Sequence, residues 1–416
     1  MIETWKDTNL GEVFESITNG VNCDQKSNSG AHLITRIETI SKGSVDLERI
    51  GRADLNEKEL SKYRLLENDI LFSHINSPIH VGKTALFDTK AEVYHGVNLL
   101  RIRTIKDVNP KFLRYFLLFL YTSGFWRTVA KQSVNQASVN QKDISEVPFS
   151  YPSLEKQKEI VEKLDGVFAE IDLLERNLLL GDEKANRLIQ SVLSSEISFD
   201  SGVISNNPYA NQETSVNLVK LSEVFRVGSS KRVLKSDWKE SGVPFYRGRE
   251  ITRLSKTGFA DNELFVSEEH YLELSTKYGV PVANDIMVTA IGTIGNTYIV
   301  KSQDKFYFKD ASVIWLHKIK EVDSHYVNYW LKSELFLNQL DRGNGATVDT
   351  LTIEKLSNVK LFLPSFVDQK RIVEKLDNTF IEIDLLKAQI RIKRDYAIAL
   401  RQSLLSSAFS LEEKVA

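Results

Sequence analysis

The chain has 416 residues, of which 42% are hydrophobic and 26% charged, and its formal net charge is −2. This length predicts two or three domains, and these proportions are typical of a globular protein. With this net charge the chain is not basic overall, so binding to a polyanion would need basic residues gathered on one surface. Cys23 is the only cysteine, which excludes an internal disulfide and any multi-cysteine metal site and suits a reducing cytoplasm.

The first block, residues 1–149, contains short β-like runs separated by Gly, Asn, Asp and Ser. Runs at 32–40, 69–75 and 98–105 predict strands, and an amphipathic helix is predicted over 110–122. The N-terminal stretch lacks a basic region followed by an apolar core, so we expect no secretory signal. The most apolar stretch, 112–121, is too short for a bilayer and contains Arg114. We therefore predict a mixed α/β domain without membrane contact.

A long helix is predicted over 150–198. Six residues of its apolar face follow one another at 4-3-4-3-4 spacing: Ile160, Leu164, Val167, Ile171, Leu174 and Leu178. This heptad pattern predicts a helix that packs along a second long helix. Phe168 widens the apolar face beyond what one partner helix covers. Ser153 is a preferred N-cap, whereas Gly166 and Gly181 are candidate bends or breaks.

Residues 199–215 are rich in Ser, Asn, Gly and Pro and predict a linker. The second block, 216–361, has β-like runs at 243–251, 285–300 and 311–319 and a predicted helix at 324–338. Its stretch from Arg226 to Lys256 holds nine Lys and Arg against three Asp and Glu. Such a surplus suits contact with phosphate, although a charge run is also typical of an ordinary solvated face.

The last segment, 362–416, repeats the first long helix. Residues 157–174 and 369–386 agree at 14 of 18 positions and lie 212 residues apart. In the second copy the matching positions are Ile372, Leu376, Thr379, Ile383, Leu386 and Ile390. Phe380 corresponds to Phe168. We predict that the two helices pair antiparallel about a pseudo-twofold axis and that the remaining apolar stripe binds helices of another protein. An ordinary two-helix core element is the alternative.

Weaker similarities connect the two blocks. Residues 10–17 resemble 221–228, residues 67–87 resemble 283–300, and residues 135–144 resemble 344–353. The fold class predicted from these observations is α+β, with two mixed α/β domains separated by two long helices and an internal repeat.

The motifs do not indicate catalysis. Residues 206–209, "NNPY", lack the second proline of an amino-methyltransferase box and fall in the predicted linker. Residues 292–295, "GTIG", suit a tight turn between strands better than a nucleotide-binding loop. The seven histidines show no metal-ligand spacing, so no metal site is predicted.

Polar and basic loop residues instead suit contact with DNA, because such side chains read base edges or bind phosphate. Each one alone is more often an ordinary surface residue, so only the pattern has weight. The candidates in the first block are Arg36, His74, Asn76, Lys83, Asn135, Gln136, Ser138, Asn140 and Gln141. Those in the second block are Lys231, Arg232, Arg247, Arg249, Thr289, Thr293, Asn344 and Thr347.

The arrangement resembles the DNA-specificity subunits of type I restriction–modification systems. Residues 152–164 and 364–376 look like that family's Pro-x-x-x-x-Gln-x-x-Ile-Val-x-x-Leu helix start. Residues 68–86, "NDILFSHINSPIHVGKTAL", and 284–300, "NDIMVTAIGTIGNTYIV", look like the Asn-Asp-Ile strands of its target-recognition domains. The resemblance covers nearly the whole chain.

The resemblance implies two target-recognition domains that each read one half of a split, asymmetric site in double-stranded DNA. It implies that the helices form an antiparallel coiled coil that sets the spacing and docks methyltransferase subunits, two of them, and that a restriction subunit can join. S-adenosylmethionine, ATP and Mg²⁺ would then belong to those partners, and this cytoplasmic chain would be a non-catalytic part of an adenine-N6 methyltransferase and endonuclease complex.

One stretch departs from the family pattern, because "SHINSPIHVGK" (73–83) lacks the Gly-x-Ile-Gly turn of its counterpart. Target-recognition domains vary so much that no base-contacting residue carries over from the family. Two alternatives stay open: a subunit that serves a methyltransferase without a nuclease, and a coiled-coil scaffold whose globular ends bind protein.

Overall fold

The computed structural model describes residues 5–23, 29–133, 135–197, 216–340 and 350–410. The chain divides into two compact units, and each unit contains one globular block and part of each long helix. Unit 1 comprises Met1–Leu179 and Arg391–Ala416, and unit 2 comprises Leu180–Ile390. The predicted linker, 199–215, lies outside the described residues.

Unit 1 contains short strands and helices that lead into the first long helix. In chain order they are β1 Lys6–Asn9, β2 Phe14–Asn19, β3 His32–Ile34, β4 Gly51–Ala53, α1 Glu57–Tyr63, β5 Ile70–Phe72, β6 Ile75–Asn76, β7 Thr84–Leu86, β8 Val93–Tyr94, β9 Leu100–Thr104, α2 Pro110–Thr122, α3 Phe125–Val129, β10 Lys131–Ser133, β11 Gln136–Ser138, α4 Gln141–Ser145, β12 Pro148–Tyr151 and α5 Leu154–Ile197. Helix α2 has the predicted bounds, whereas the second half of the predicted strand 32–40 forms a 3₁₀ helix at Ile37–Ile40.

Unit 2 contains the second block and ends in the second long helix. Its elements are β13 Asn217–Lys220, β14 Phe225–Gly228, β15 Val243–Tyr246, α6 Gly248–Thr257, β16 Phe265–Val266, α7 Glu268–Tyr278, β17 Ile286–Thr289, β18 Thr297–Ile299, β19 Tyr307–Phe308, β20 Val313–Lys318, α8 Ser324–Leu331, α9 Glu334–Leu337, α10 Ile353–Asn358, β21 Lys360–Leu363 and α11 Phe366–Phe409. The helix predicted over 324–338 is interrupted between α8 and α9. The predicted strand 243–251 turns into α6 after Tyr246.

The two blocks share one sheet topology. A four-stranded sheet has the order β2-β9-β5-β7 in unit 1 and β14-β20-β17-β18 in unit 2. A three-stranded sheet has the order β4-β3-β8 in unit 1 and β16-β15-β19 in unit 2, with one antiparallel and one parallel pairing each time. A two-stranded sheet, β1-β12 or β13-β21, closes each block next to its long helix. The internal repeat predicted from the sequence therefore extends to these three sheets of each block.

The Asn-Asp-Ile stretches form the same turn in both units. Asn68 and Asn284 each have a φ of 71°, a left-handed conformation that asparagine tolerates better than most residues. The next residue is a buried aspartate that fixes the turn to the adjacent strand. Asp69 accepts two hydrogen bonds from the Arg103 guanidinium at 2.6 and 3.0 Å. Asp285 accepts one from Trp315 Nε1 at 2.7 Å.

Both long helices are continuous over 44 residues, so neither Gly166 nor Gly181 breaks α5. A Cβ at Gly181 would lie 3.3 Å from Ile390 Cδ1, which shows that the glycine allows a close approach of α5 and α11 in unit 2. Also in unit 2, Lys387 binds Asn186 at 2.6 Å, and Lys375 binds Glu196 at 2.7 Å. These two pairs mean that the helix segments run antiparallel there.

The same helices complete the core of unit 1. Arg401 of α11 pairs with Asp172 of α5, and its guanidinium lies 4.8 Å from the Phe168 ring centroid. Phe409 packs against the Phe112 ring with 5.2 Å between centroids. Burial of such aromatic and aliphatic surface is the main force that holds a block to its helices.

Candidate nucleic-acid interface

A small three-stranded sheet, in the order β10-β11-β6, gathers several predicted DNA contacts of unit 1. Asn76 on β6 lies opposite Ala137 on β11, and Gln136 and Ser138 flank that position. Gln136 and Asn135 are exposed. Asn76 donates to Ser73 Oγ at 3.0 Å and accepts from the Ser77 N–H at 2.8 Å, so its amide is oriented by its own turn.

His74 supports this turn from within the protein. Its side chain is 9% exposed, and its carbonyl accepts a hydrogen bond from the Val139 N–H at 2.9 Å. Burial lowers the pKa of the imidazole, so the ring is neutral at neutral pH. His74 therefore positions the turn and does not present a charge to a ligand.

The other four candidates of unit 1 are bound to the surrounding protein. Asn140 caps α4 by accepting from the Asp143 N–H at 2.8 Å, and Gln141 donates to Asn19 Oδ1 at 3.1 Å. Lys83 donates to the Ser41 carbonyl at 2.9 Å, and burial lowers its pKa. The Arg36 guanidinium lies against Gly51, where a Cβ would come within 2.3 Å of its Nε. These contacts give Asn140, Lys83 and Arg36 clear structural roles.

The corresponding turn in unit 2 joins β17 to β18 and packs on the first turns of α6. Thr289 is fully buried and donates to the Thr293 carbonyl, which fixes the shape of the turn. Thr293 is exposed at its tip, and its hydroxyl lies 3.0 Å from that of Thr252 on α6. Asn296 donates to the same Thr252 hydroxyl at 3.1 Å. An exposed polar surface thus joins the turn and α6.

Two predicted arginines lie on either side of the start of α6 and contact the same buried carboxylate. Glu250 is fully buried and accepts from Arg247 Nη2 at 3.1 Å and from Arg249 Nε at 2.5 Å. Burial raises the pKa of Glu250, but the hydrogen bonds from the two arginines outweigh that effect and hold its pKa below the ordinary value. The side chain of Arg247 is 25% exposed and that of Arg249 is 42% exposed. Arg249 also binds the surface residue Glu263.

The remaining candidates of unit 2 are not brought to this surface by any described contact. Lys231 extends over the Tyr278 ring at 5.7 Å, and Arg232 pairs with Asp310 at 3.4 Å. Asn344 and Thr347 lie in 341–349, outside the described residues.

The two turns are held by equivalent supports. Ile75 bridges to Ser138 in unit 1, and Ile291 bridges to Thr350 in unit 2. The following helix is capped by Asn140 in unit 1 and by Thr352 in unit 2. These pairs of positions, 138 with 350 and 140 with 352, differ by 212 residues, as the long helices do. The sequence similarity of 135–144 to 344–353 is therefore shifted by three residues from the structural match.

Sequence reasoning missed Thr252, Asn296, Glu250 and Glu263. A signal was present for Glu250, because a Glu three residues after the N-cap of a helix is typical of a capping box, and Arg247 is the N-cap here. The contacts of Thr252 and Glu263 depend on tertiary packing and leave no local pattern.

Most of the helix residues named from the sequence are buried in the cores of the two units. Leu164, Phe168 and Ile171 belong to the core of unit 1, with Ile160 packed against it. Ile372 and Leu376 belong to the core of unit 2, with Phe380 packed against it, and Ile383 is 4% exposed.

Two predicted seam residues differ, since Leu174 is 39% and Leu386 is 44% exposed. Half-buried Glu175 and Lys387 take the inward positions instead. The buried positions keep a strict seven-residue repeat through Val161, Phe168 and Glu175, so this row of the seam begins at Val161 and not at Ile160. Leu173 and Leu385 are also exposed, at 54% and 60%. Each unit therefore presents a pair of adjacent exposed leucines on a long helix.

The family model of the type I restriction modification DNA specificity domain matches residues 2–179 and 213–393. The chain belongs to this family. The two matches show that the specificity domain is present twice, in agreement with the repeated topology of the blocks.

Individual relatives agree with the assignment to the specificity family. A protein assigned as the specificity subunit of the type I restriction enzyme MjaX of Methanocaldococcus jannaschii is 28% identical over 385 residues, which cover 90% of this chain and 86% of that protein.

Two solved structures share the fold. One chain, from a study of complex assembly and conformational transition of the type I R-M system, has a TM-score of 0.74 at 17% identity and 97% coverage of both chains. The HsdS subunit of Thermoanaerobacter tengcongensis has a TM-score of 0.54 at 17% identity, with 98% of this chain and 97% of that chain covered.

Two features are absent from the described residues. No helix there has the length and apolar character that a bilayer crossing requires. No group of three or more His, Cys, Asp or Glu side chains in the same residues is arranged to hold a metal ion.

Proposed function

We propose that this chain recognises a bipartite, asymmetric sequence in double-stranded DNA and directs partner methyltransferase subunits to it, without catalysis of its own. The observation that carries the proposal is a repeated framework with different exposed residues. The same four-stranded sheet, bridge and helix cap support a turn in each unit, but the exposed polar residues next to the first are Asn135 and Gln136, and those at the second are Thr293 and Arg249. Different side chains on equivalent supports suit two different half-sites.

The chemistry of these side chains fits base and phosphate contacts. Asn and Gln amides form paired hydrogen bonds with adenine in the major groove, while Arg binds guanine or phosphate. In unit 1 we assign base contact to Gln136 and Asn135, which are exposed, with Asn76 oriented by Ser73 and Ser77. In unit 2 we assign DNA contact to Thr293 and Arg249.

The long helices serve as the docking element in this proposal, paired as an antiparallel coiled coil. The antiparallel contacts of Lys375 and Lys387 support that pairing. Leu173 and Leu385 occupy equivalent positions of the repeat, so they suit two identical methyltransferase subunits. S-adenosylmethionine, ATP and Mg²⁺ are assigned to those partners and to a restriction subunit where one is present, all in the cytoplasm.

Competition binding tests DNA recognition. The chain is purified with its methyltransferase partner, and a labelled duplex pool is competed with bulk DNA. We expect one split motif to be retained preferentially, by a factor of about 10³ or more over unrelated sequence. Equal retention of all duplexes would refute sequence recognition and favour a protein-binding scaffold. Methyl transfer by the chain alone would refute the non-catalytic assignment.

Mapping N6-methyladenine in the host genome identifies the motif independently. We expect one split, asymmetric sequence whose methylation disappears when the gene for this chain is deleted. A methylated motif without a gap, or one that persists after deletion, would contradict the proposal.

A further inference from the structure

The ion cluster at the start of α6 contains one contact that the fold does not need. Glu250 requires donors because it is fully buried, and it accepts from the Arg247 N–H at 2.9 Å and from the side chains of Arg247 and Arg249. Since a buried carboxylate without partners is costly, these bonds belong to the fold. The bond between Arg249 and Glu263 satisfies no buried group.

Glu263 is a surface residue on an irregular segment. Its side chain is 61% exposed, and it follows α6 in the stretch before β16. The hydrogen bond from Arg249 lowers its pKa, so the carboxylate is charged at neutral pH. A second arginine, Arg247, is 3.8 Å away. An exposed pair of this kind contributes little stability, because water and salt screen it.

Arg249 therefore donates to two different carboxylates. Its Nε holds the buried Glu250, and its Nη2 points to the surface, where it meets Glu263. Guanidinium groups bind phosphate oxygens in the same geometry as carboxylate oxygens, with strong charge-assisted hydrogen bonds. The Nη2 group of Arg249 is thus oriented by a buried anchor and occupied by an exchangeable anion.

The position of Arg249 suits a phosphate next to a base-reading turn. Arg249 and Thr252 are three residues apart on α6 and so lie on the same side of the helix. Thr252 contacts both Thr293 and Asn296 of the exposed turn. In protein–DNA complexes, phosphate contacts of this kind fix the register of nearby base contacts.

We propose that Arg249 binds a DNA backbone phosphate and that Glu263 occupies the place of that phosphate while DNA is absent. Binding exchanges one anion for another at the Nη2 group, so no buried charge loses its partner. Glu263 thereby weakens every DNA complex slightly, whatever its sequence. This inference rests on the proposed DNA recognition and adds one phosphate contact and its internal competitor.

Four variants in the full chain with its methyltransferase partner test the inference: E263Q, R249Q, the double variant R249Q/E263Q, and E268Q as matched control. Glu268 is also an exposed carboxylate of unit 2, paired with Lys305 at 2.6 Å. Binding is measured over a series of salt concentrations with two duplexes, one carrying the methylated motif and one of unrelated sequence.

We expect E263Q to tighten binding of both duplexes about two- to fivefold, the range that the loss of one exposed ion pair allows. R249Q should weaken binding of both and reduce the slope of log K against log salt by about 1. In the R249Q background, E263Q should have no further effect, and E268Q should bind like the parent chain.

Three results would overturn the inference. Equal effects of E263Q and E268Q would mean that the loss of any surface carboxylate tightens DNA binding. An effect of E263Q that persists without Arg249 would mean long-range repulsion rather than occupation of a site. An effect of R249Q on the motif duplex alone would make Arg249 a base contact. Failure of the parent chain to prefer the motif duplex would instead refute the proposed function.

Discussion

The side-chain amide of Gln157 accepts a hydrogen bond from the backbone N–H of Asn109 at 2.8 Å, and so joins the first turn of α5 to the start of α2. The same amide donates to the carbonyls of Asp107 and Pro152 at 3.0 and 2.9 Å. In unit 2, Gln369 accepts from the Asp323 N–H at 2.8 Å and donates to the Pro364 carbonyl. The glutamine of the repeated motif therefore fixes each block to its long helix.

Replacing Gln157 by Met should destabilise unit 1. Methionine keeps the shape but leaves one buried N–H and two carbonyls without partners, which costs about 3 kcal/mol. Gln369→Met should cost somewhat less, since two backbone groups lose their partners. Urea unfolding of the full chain measures both. Gln389→Met, at an exposed position of α11, is the control. A cost for Q157M no larger than for the control would contradict this role.

Arg247→Ala should lower stability, although the sequence alone suggests only a DNA contact. The change removes the Arg247 side-chain donors from the fully buried Glu250, so that Arg249 is the one remaining cation paired with its carboxylate. We expect the free energy of unfolding to fall by about 2 kcal/mol. Thermal unfolding checks this. Arg232→Ala, at a residue that is 74% exposed, should change little. A weakened DNA complex with unchanged stability would show that Arg247 contacts DNA directly.

His95 should make unit 1 sensitive to acid. The ring is fully buried with Nε2 2.9 Å from the Leu99 carbonyl, and burial lowers its pKa to about 3. In the unfolded chain a histidine takes up a proton below pH about 6.5, so the folded state loses stability as the pH falls below that value. The loss between pH 7 and pH 5 is about 2 kcal/mol.

His95→Gln should flatten this pH dependence in urea unfolding, and the exposed His325→Gln should leave it unchanged. Glutamine at position 95 does not titrate, so its unfolding free energy should vary less between the two pH values. The same pH dependence in H95Q and in the parent chain would place the acid sensitivity elsewhere.

Leu173→Asp and Leu385→Asp should abolish docking of the methyltransferase and leave folding intact, because both residues are exposed. Ile171→Asp and Ile383→Asp, at buried positions 3% and 4% exposed, should instead unfold the chain. Gel filtration with the methyltransferase and circular dichroism separate the two effects. Leu272→Asp, on α7 and 66% exposed, is the control. Normal assembly of L173D and L385D would place the docking surface elsewhere.

The sequence predicts the repeated organisation, the bounds of α2 and the central strands β5, β9, β17 and β20, because these depend on local patterns of apolar residues. It does not distinguish Arg247 from Arg249, since their roles differ only through the tertiary position of Glu250. Leu174 and Glu175 are confused for a related reason, because Ile160 and Val161 are both apolar and only tertiary packing selects the register that begins at Val161. Gly181 weakens a helix in isolation, but contact with Ile390 lets α5 continue through it.

The packing of Phe409 against Phe112 and Phe116 has a consequence for synthesis of the chain on the ribosome. Unit 2 is one uninterrupted stretch, so all its core residues emerge together and can fold as they appear. Unit 1 begins to emerge first, but its core is completed by Ala397, Leu405 and Phe409, which are made long afterwards. The nascent first block therefore keeps an open apolar surface until the last turns of α11 have been made.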